Sequence, residues 1–364
     1  MRQVRFSNLN RQFQLVEKGV MAAWADILRS SSFIGGPQVK AFESEFASYL
    51  GISHCIGMAN GTDALEIAFS ALDLPAGSVV LVPANSFVAT AEAVVNVGLR
   101  VRFVDVREDF AIDLDDLRSK VDDEVSCIAV VHLYGHPAPM AEILAIANAA
   151  EVKVVEDCAQ AHGAEIDGRK VGTFGQFGAF SFYPGKNLGA AGDAGALVTD
   201  DEDLAEKARR IANHGRLSKF DHNLVGRNSR LDSIQAALLS EKLKHLDTWN
   251  AQRNENAETY RNWLEVSPLL SLPPKVSGSV YHHFVVRTNS RDQLRDFLSS
   301  HQIETGVHYP QAIHEMPPFL DTPKSHCPSA AKMSNKLISL PVAEHLTSSD
   351  IQYVAQKIKH FFNF

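Results

Sequence analysis

Cysteine is scarce. Cys55, Cys127, Cys158 and Cys327 are the only four in 364 residues, and they are scattered without metal-type spacing. That excludes a disulfide framework and fits reduced thiols in a cytosol, so a cytoplasmic protein is expected. A basic excess is also missing: 35 Lys and Arg face 43 Asp and Glu, for a formal charge of −8. Nucleic acid and anionic membranes both favour a basic face, so neither is an expected partner. Any anionic ligand needs a local basic patch instead. The longest apolar runs, such as Val125 to Leu133, fall far short of the ~20 residues of a membrane span. The opening Met1-Arg-Gln-Val-Arg-Phe6 has no apolar h-region, so no signal peptide is expected. No G-x-G-x-x-G follows a strand. Around Lys186, Phe180 and Asn187 stand where a P-loop requires Gly and Ser or Thr. There is no internal repeat or low-complexity tract.

What is present is ordinary globular composition, 45% apolar and 21% charged, on a chain long enough for two domains. Helical periodicity runs over 9–32 and 39–50. Short apolar runs then alternate with helical stretches: strands at 55–59, 79–82, 101–104, 127–131, 153–156, 178–182 and 195–198. Such alternation implies a mostly parallel sheet covered by helices on both faces. The last two strands are joined too tightly for a helical crossover, so an antiparallel pair is one expectation. A long helix is predicted from Asp232 to Trp249, continuing through Tyr260. Strands follow at 281–287 and 304–308, with helices at 291–300 and 348–362. The change of character near 247–255 suggests a large domain over 1–248 and a smaller α/β domain over 249–364.

Ligands of open parallel sheets sit beyond the carboxyl ends of the strands. After the first strand comes Asn60-Gly61-Thr62, opening a helix whose N–H groups suit a phosphate, or which Asn60 merely caps. Phe87, after the second strand, can stack on a flat ring or pack in a core. Glu156 and Asp157 end a buried strand and must be paired or protonated. Lys186 stands on a sharp Pro-Gly turn between two strands, with Ser181 just before it. A lysine amine, a carboxylate, an aromatic platform and a phosphate cradle meet the needs of pyridoxal 5′-phosphate. That cofactor requires a Schiff-base lysine and an acid to keep its pyridine nitrogen protonated. Lys186, Asp157, Phe87 and the Gly61-Thr62/Ser181 pair fill these roles.

Several motifs carry a resemblance over nearly the whole chain. They are Phe33-Ile-Gly-Gly-Pro37, Asn60-Gly-Thr-Asp-Ala-Leu65 and Glu156-Asp-Cys-Ala-Gln-Ala-His-Gly163. They continue with Ser181-Phe-Tyr-Pro-Gly-Lys-Asn-Leu-Gly189, Gly192-Asp-Ala-Gly195, Gly226-Arg-Asn-Ser-Arg-Leu-Asp232 and Gly306-Val-His-Tyr-Pro310. With these the chain resembles the DegT/DnrJ/EryC1/StrS sugar aminotransferases, of aspartate-aminotransferase fold type I. The resemblance implies a three-layer αβα large domain around a seven-stranded sheet. It implies that Lys186 holds the cofactor covalently and shuttles a proton once freed, and that Asp157 pairs with the pyridine nitrogen. It further implies that Gln160 lies near the phenolic oxygen, Phe87 stacks on the ring, and Gly61, Thr62 and Ser181 hold the phosphate. Asn228 would reach the phosphate of a neighbouring subunit, making a homodimer with shared sites. Tyr183, His308 and Tyr309 would neighbour the sugar. Departures from common versions fall at Leu231-Asp232 and His136.

The run Tyr183-Pro-Gly-Lys-Asn-Leu-Gly189 resembles the subgroup that aminates C3 of a nucleotide-linked 3-keto-6-deoxyhexose. L-glutamate is the implied donor and dTDP the favoured carrier. Amination at C4 is the alternative, and a non-catalytic cofactor-binding regulator a remoter one. Arg216, Arg227 and Arg230 are candidates for the nucleotide diphosphate, against the plainer reading of surface ion pairs.

Overall fold

The computed structural model describes residues 2–264 and 268–363. Met1, 265–267 and Phe364, which fall within the two expected domains and, for Met1, the opening segment, lie outside the described residues. Seven strands form the main sheet: β1 His54–Met58, β2 Val79–Pro83, β3 Arg100–Val104, β4 Val125–Val131, β5 Lys153–Asp157, β6 Phe177–Ser181 and β7 Gly195–Thr199. Their order is β1-β7-β6-β5-β4-β2-β3. The run from β6 to β3 is parallel, and β7 alone reverses, pairing antiparallel with both β1 and β6. The short link between β6 and β7 has this consequence, since a parallel pair needs a longer crossover.

Helices cover both faces, as continuous apolar strands require. On one face α3 (Gly61–Ala71), α4 (Ala89–Asn96) and α7 (Glu202–Ala212) pack Leu65, Phe69, Val94 and Ile211 over Ile56, Val80, Phe103 and Val155. On the other, α5 (Leu114–Lys120) and α6 (Met140–Ala149) cover Leu81, Ile128 and Val154. Beside them α2 (Pro37–Leu50) and α8 (Ser233–Leu243) enclose Phe180, Phe182 and Val198. Phe46 of α2 is fully buried and meets Phe180 and Phe182 edge-on at 5.0 and 5.3 Å. Truncating such a ring to Ala costs about 3–5 kcal/mol. Helix α1 (Leu9–Ser30) lies against α8.

The long helix expected from Asp232 is two helices. It breaks at Lys244–His245, and α9 runs Leu246–Trp263. The proposed boundary at 248/249 falls in the first turn of α9. Beyond it, a second core joins Tyr260, Phe284, Leu298, Leu340, Ile351 and Ile358, with Val4 from the start of the chain. Its strands are β8 (Phe284–Arg287) and β9 (Leu337–Leu340), an antiparallel pair flanked by α10 (Arg291–Ser300), α11 (Pro328–Ser334) and α12 (Ser348–Phe362). The strand expected at 304–308 is not one. Its backbone changes partner along its length, with Glu304 bonding Val4 and Gly306 bonding Ser339, so no continuous ladder forms.

Candidate active site

Strand β6 ends at Ser181, and the chain turns at once. Lys186 N donates to Tyr183 O (2.9 Å) and Ala190 N to Phe182 O (2.8 Å), closing a tight loop at the carboxyl edge of the sheet. The loop holds Lys186 half-buried at the base of a cleft of about 730 Å³. Burial lowers the Lys186 ammonium to about 8, against the opposing pull of the Asp157 carboxylate. An amine at that value is partly neutral near pH 7, as a nucleophile and proton carrier must be.

Asp157 terminates β5 and is buried in the same cleft. Its Oδ2 accepts the Thr90 hydroxyl at 2.7 Å and its Oδ1 the Ala159 N–H at 3.1 Å. Ser86 lies 2.8 Å from the Thr90 hydroxyl. Because that hydroxyl gives its hydrogen to Asp157, Ser86 is the donor to Thr90. The preceding Glu156 points to the other face. It accepts His132 Nε2 and the N–H groups of Gly172, Phe174 and Gly175, all at 2.7–3.0 Å. His132 Nδ1 in turn accepts Ala138 N–H. The His132, Glu156 and Cys158 cluster is therefore already satisfied by the fold, which answers how that buried acid is paired.

Helix α3 aims its N-terminus into the cleft. Asn60 accepts the N–H of Asp63 at 2.8 Å, so it does cap the helix. The N–H groups of Gly61 and Thr62 belong to the first turn, which has no intrahelical acceptors. A Cβ on Gly61 would stand 2.6 Å from Cβ of Ser181, so only glycine lets α3 approach the end of β6 this closely. Gly61, Thr62 and Ser181 thus line one concavity, the arrangement that suits a phosphate.

Phe87 is 52% exposed and lines the cleft, which sets aside a core role. Its ring lies 5.5 Å from that of Tyr309. Gln160 accepts Tyr134 N–H at 2.7 Å and donates to the Tyr309 hydroxyl at 2.9 Å. Burial, and then the Asp157 charge, raise the Tyr309 phenol, so it stays protonated at neutral pH. His308 bonds Ser339 through Nδ1 (2.8 Å) and stacks on His283 at 3.9 Å. Burial, with Lys186 nearby, lowers His308 to about 4, so it is neutral. Tyr183 stands exposed at the rim. The structure therefore brings together Gly61, Thr62, Phe87, Asp157, Gln160, Ser181, Tyr183, Lys186, His308 and Tyr309.

It does not bring in Asn228 or the arginines. Asn228 is exposed and pairs through its backbone with Asn213. Arg216 is exposed in a hairpin with 221–222. Arg227 is paired with Glu66 and Asp63, and Arg230 donates to Asn213 Oδ1 at 2.8 Å. Phe220 and Val225, in the same region, stand almost fully exposed. The departures at Leu231-Asp232 and His136 do not line the cleft, and Asp232 is exposed. Leu231 is buried, and His136 bonds Ser279 at 2.8 Å.

Sequence reading missed the cleft residues His282, His283, Arg253 and Phe6, and also Thr90, which is buried behind the cleft and bonds Asp157. The His282-His283 pair heads an expected strand, and Arg253 lies on a polar helix. Neither position signals a site until the chain is folded. The donors and acceptors assembled here fit pyridoxal phosphate at every point of contact: an amine, an acid, a ring platform and N–H groups for a phosphate.

Comparison with known families decides the class. Residues 15–359 match the family model described as the DegT/DnrJ/EryC1/StrS aminotransferase family. The chain belongs to that family. It is 40% identical over 362 residues to a protein of Geobacillus stearothermophilus named pleiotropic regulatory protein, spanning 98% of this chain and 97% of that one. It is 39% identical over 355 residues to the UDP-N-acetyl-3-dehydro-alpha-D-glucosamine 3-aminotransferase of Acidithiobacillus ferrooxidans, spanning 97% and 96%. Identity is also 39%, over 349 residues, to the dTDP-3-amino-3,4,6-trideoxy-alpha-D-glucose transaminase of Streptomyces venezuelae, spanning 94% and 92%. Among solved structures, S. venezuelae DesV in complex with a ketimine intermediate superposes with a TM-score of 0.95, 37% identity and 99% coverage of both chains. The DegT/DnrJ/EryC1/StrS chain is an aminotransferase of fold type I. No helix among its described residues is long and apolar enough to cross a membrane.

Proposed function

We propose that this aminotransferase uses pyridoxal 5′-phosphate to move the amino group of L-glutamate to C3 of a nucleotide-linked 3-keto-6-deoxyhexose, with dTDP the favoured carrier. The observation that carries the reading is the desolvated Lys186 amine sharing one cleft with Asp157 and the Gly61-Thr62-Ser181 concavity. Two relatives of equal identity, with different nucleotide carriers, both bear names that place the amino group at C3. That agreement supports C3 more firmly than it supports a carrier.

Pyridoxal phosphate, when bound, supplies an electron sink for a carbanion. Lys186 and Ser181 would hold it with Gly61 and Thr62, Phe87 would cover its ring, and Asp157 would face its pyridine nitrogen. Lys186 Nζ, once free, takes the proton from the donor's α-carbon. In the second half-reaction it delivers a proton to C3 of the sugar. Gln160 and Tyr309 form one hydrogen-bonded wall beside it. Asn228 is proposed to serve the cleft of a second copy, with Arg216 and Arg230 toward the nucleotide diphosphate. The exposed Phe220 and Val225 support a dimer, because they would be covered there. Four free, buried cysteines support work in the cytoplasm.

The test is an absorbance spectrum followed by a substrate comparison. The protein should be yellow with pyridoxal phosphate, and glutamate should shift the visible band to the pyridoxamine form. A protein that stays colourless rejects the reading. One that colours but never turns over favours the regulator that the Geobacillus name suggests. Assays against 3-keto and 4-keto sugars on dTDP and UDP separate C3 from C4 and name the carrier.

A further inference from the structure

One wall of the cleft contains a one-way chain of amides ending on a histidine. Asn250 Nδ2 donates to His162 O at 2.8 Å, which fixes which way the Asn250 amide points. Its Oδ1 therefore faces Asn187, whose Nδ2 donates to it at 2.9 Å and to Val280 O at 3.1 Å. With both partners of Nδ2 being carbonyl oxygens, the Asn187 amide cannot be flipped. Its Oδ1 is left facing His282 Nδ1 at 3.0 Å. An oxygen there accepts, so Nδ1 must carry the hydrogen. All three side chains, Asn250, Asn187 and His282, are buried.

The other ring nitrogen, Nε2, is then an unprotonated acceptor. It has no partner among the described residues, and His282 lines the cleft. Burial, with His283 and then Lys186 close by, keeps the ring uncharged. Its backbone is clamped as well. Arg253 Nη1 reaches His282 O at 3.4 Å, and Gly135, at φ +86°, comes so close that a Cβ there would lie 2.9 Å from His282 N.

Resting on the reading of a keto-sugar aminotransferase, we propose that His282 Nε2 is a substrate contact that accepts a hydrogen bond from a hydroxyl of the hexose, with Asn187 as the residue that orients it. An acceptor at this place selects among the two substrates. Glutamate carries two carboxylates, which are themselves acceptors, and its amine is taken up in the reaction. The hexose brings hydroxyls, which donate. His282 therefore acts in the sugar half-reaction and is idle in the glutamate half-reaction. It is also next to Asn187, the residue following the reactive lysine, so the lysine loop and the sugar contact are set by one amide.

The two half-reactions can be read separately by rapid absorbance measurements on the holoenzyme. Single-turnover rates are taken first with glutamate, and then with a dTDP-linked 3-keto-6-deoxyhexose added to the pyridoxamine form. In His282→Asn the new amide N–H stands where Nδ1–H stood, keeping the bond to Asn187 and deleting the cleft acceptor. The sugar half-reaction should slow by about tenfold, the worth of one hydrogen bond, with the glutamate half-reaction within about twofold. That second rate doubles as the control for folding. His282→Gln carries a carbonyl out to the position of Nε2 and should restore the sugar rate to within about threefold. Equal losses in both half-reactions, no loss in the sugar half-reaction, or a Gln variant as slow as the Asn variant would each overturn the proposal. Wild-type protein that fails to react with glutamate overturns the transaminase reading instead, so the two failures are distinct.

Discussion

The hydroxyl of Thr90 lies 2.7 Å from Oδ2 of Asp157, joining the first turn of α4 to the end of β5. Among the described residues, the Asp157 carboxylate has one other donor, the Ala159 N–H. Its orientation toward the cleft thus depends on a single side chain. Thr90→Val keeps the shape and deletes the donor. It should lower kcat by about tenfold and cost about 1–3 kcal/mol of stability, with Thr90→Ser restoring most of both. Steady-state kinetics and urea unfolding check this; an unchanged kcat in the Val variant refutes it.

Gly61→Ala tests the phosphate concavity. The added methyl would sit 2.6 Å from Ser181 Cβ, so α3 and β6 must separate. Affinity for pyridoxal phosphate, titrated into stripped protein by visible absorbance, should weaken by about tenfold or more, while free phosphate at high concentration should compete less well than in the wild type.

A shared site predicts complementation. Lys186→Ala and Asn228→Ala homodimers should each be nearly inactive. Mixed after mild dissociation, they form hybrids in which one cleft of the two is intact, recovering up to about a quarter of wild-type activity. Recovery absent at equilibrium, with exchange verified by a tag on one variant, would confine Asn228 to its own chain.

Acid sensitivity follows from the buried imidazoles. Burial lowers His136 to about 4, His162 to about 3 and His308 to about 4 from an unfolded value near 6.5. Between those values the unfolded chain binds protons that the folded chain refuses, so stability falls as pH falls from 6.5 toward 4. Urea midpoints should drop continuously over that range. His136→Gln, which cannot titrate, should give a shallower slope. An identical slope would show that His136 already titrates normally in the fold.

The large sheet was readable because each of its strands is a short apolar run, and the first four are each followed by a helix. The motif residues Lys186, Asp157 and Gly61 were readable because their neighbours, Pro-Gly, an apolar strand and a helix start, announce a special backbone. Helix α7 has a legible signature in its Asp201 cap and its Leu204, Ala208 and Ile211 face, but it follows the last sheet strand, where alternation no longer calls for a helix. Strand β9 is four residues of Leu-Ile-Ser-Leu, too short for periodicity to separate strand from turn. Thr90, His282 and Arg253 could not be found from their own surroundings in the chain. Each becomes a site residue through a partner far away in sequence, which local pattern does not encode.

Gly195 stands opposite Met58 in one ladder and opposite Ser181 in the other. The two sides of the phosphate concavity, one at the end of β1 and one at the end of β6, are therefore held apart by a single intervening strand. Their separation is a property of the backbone lattice and is indifferent to the side chains of the loop between 182 and 194. That loop can then be exchanged as a cassette. Grafting another loop between the same two anchor points, with Phe182, Lys186 and Asn187 kept in place, should leave cofactor retention untouched, a modularity that a site built wholly from loops would not offer.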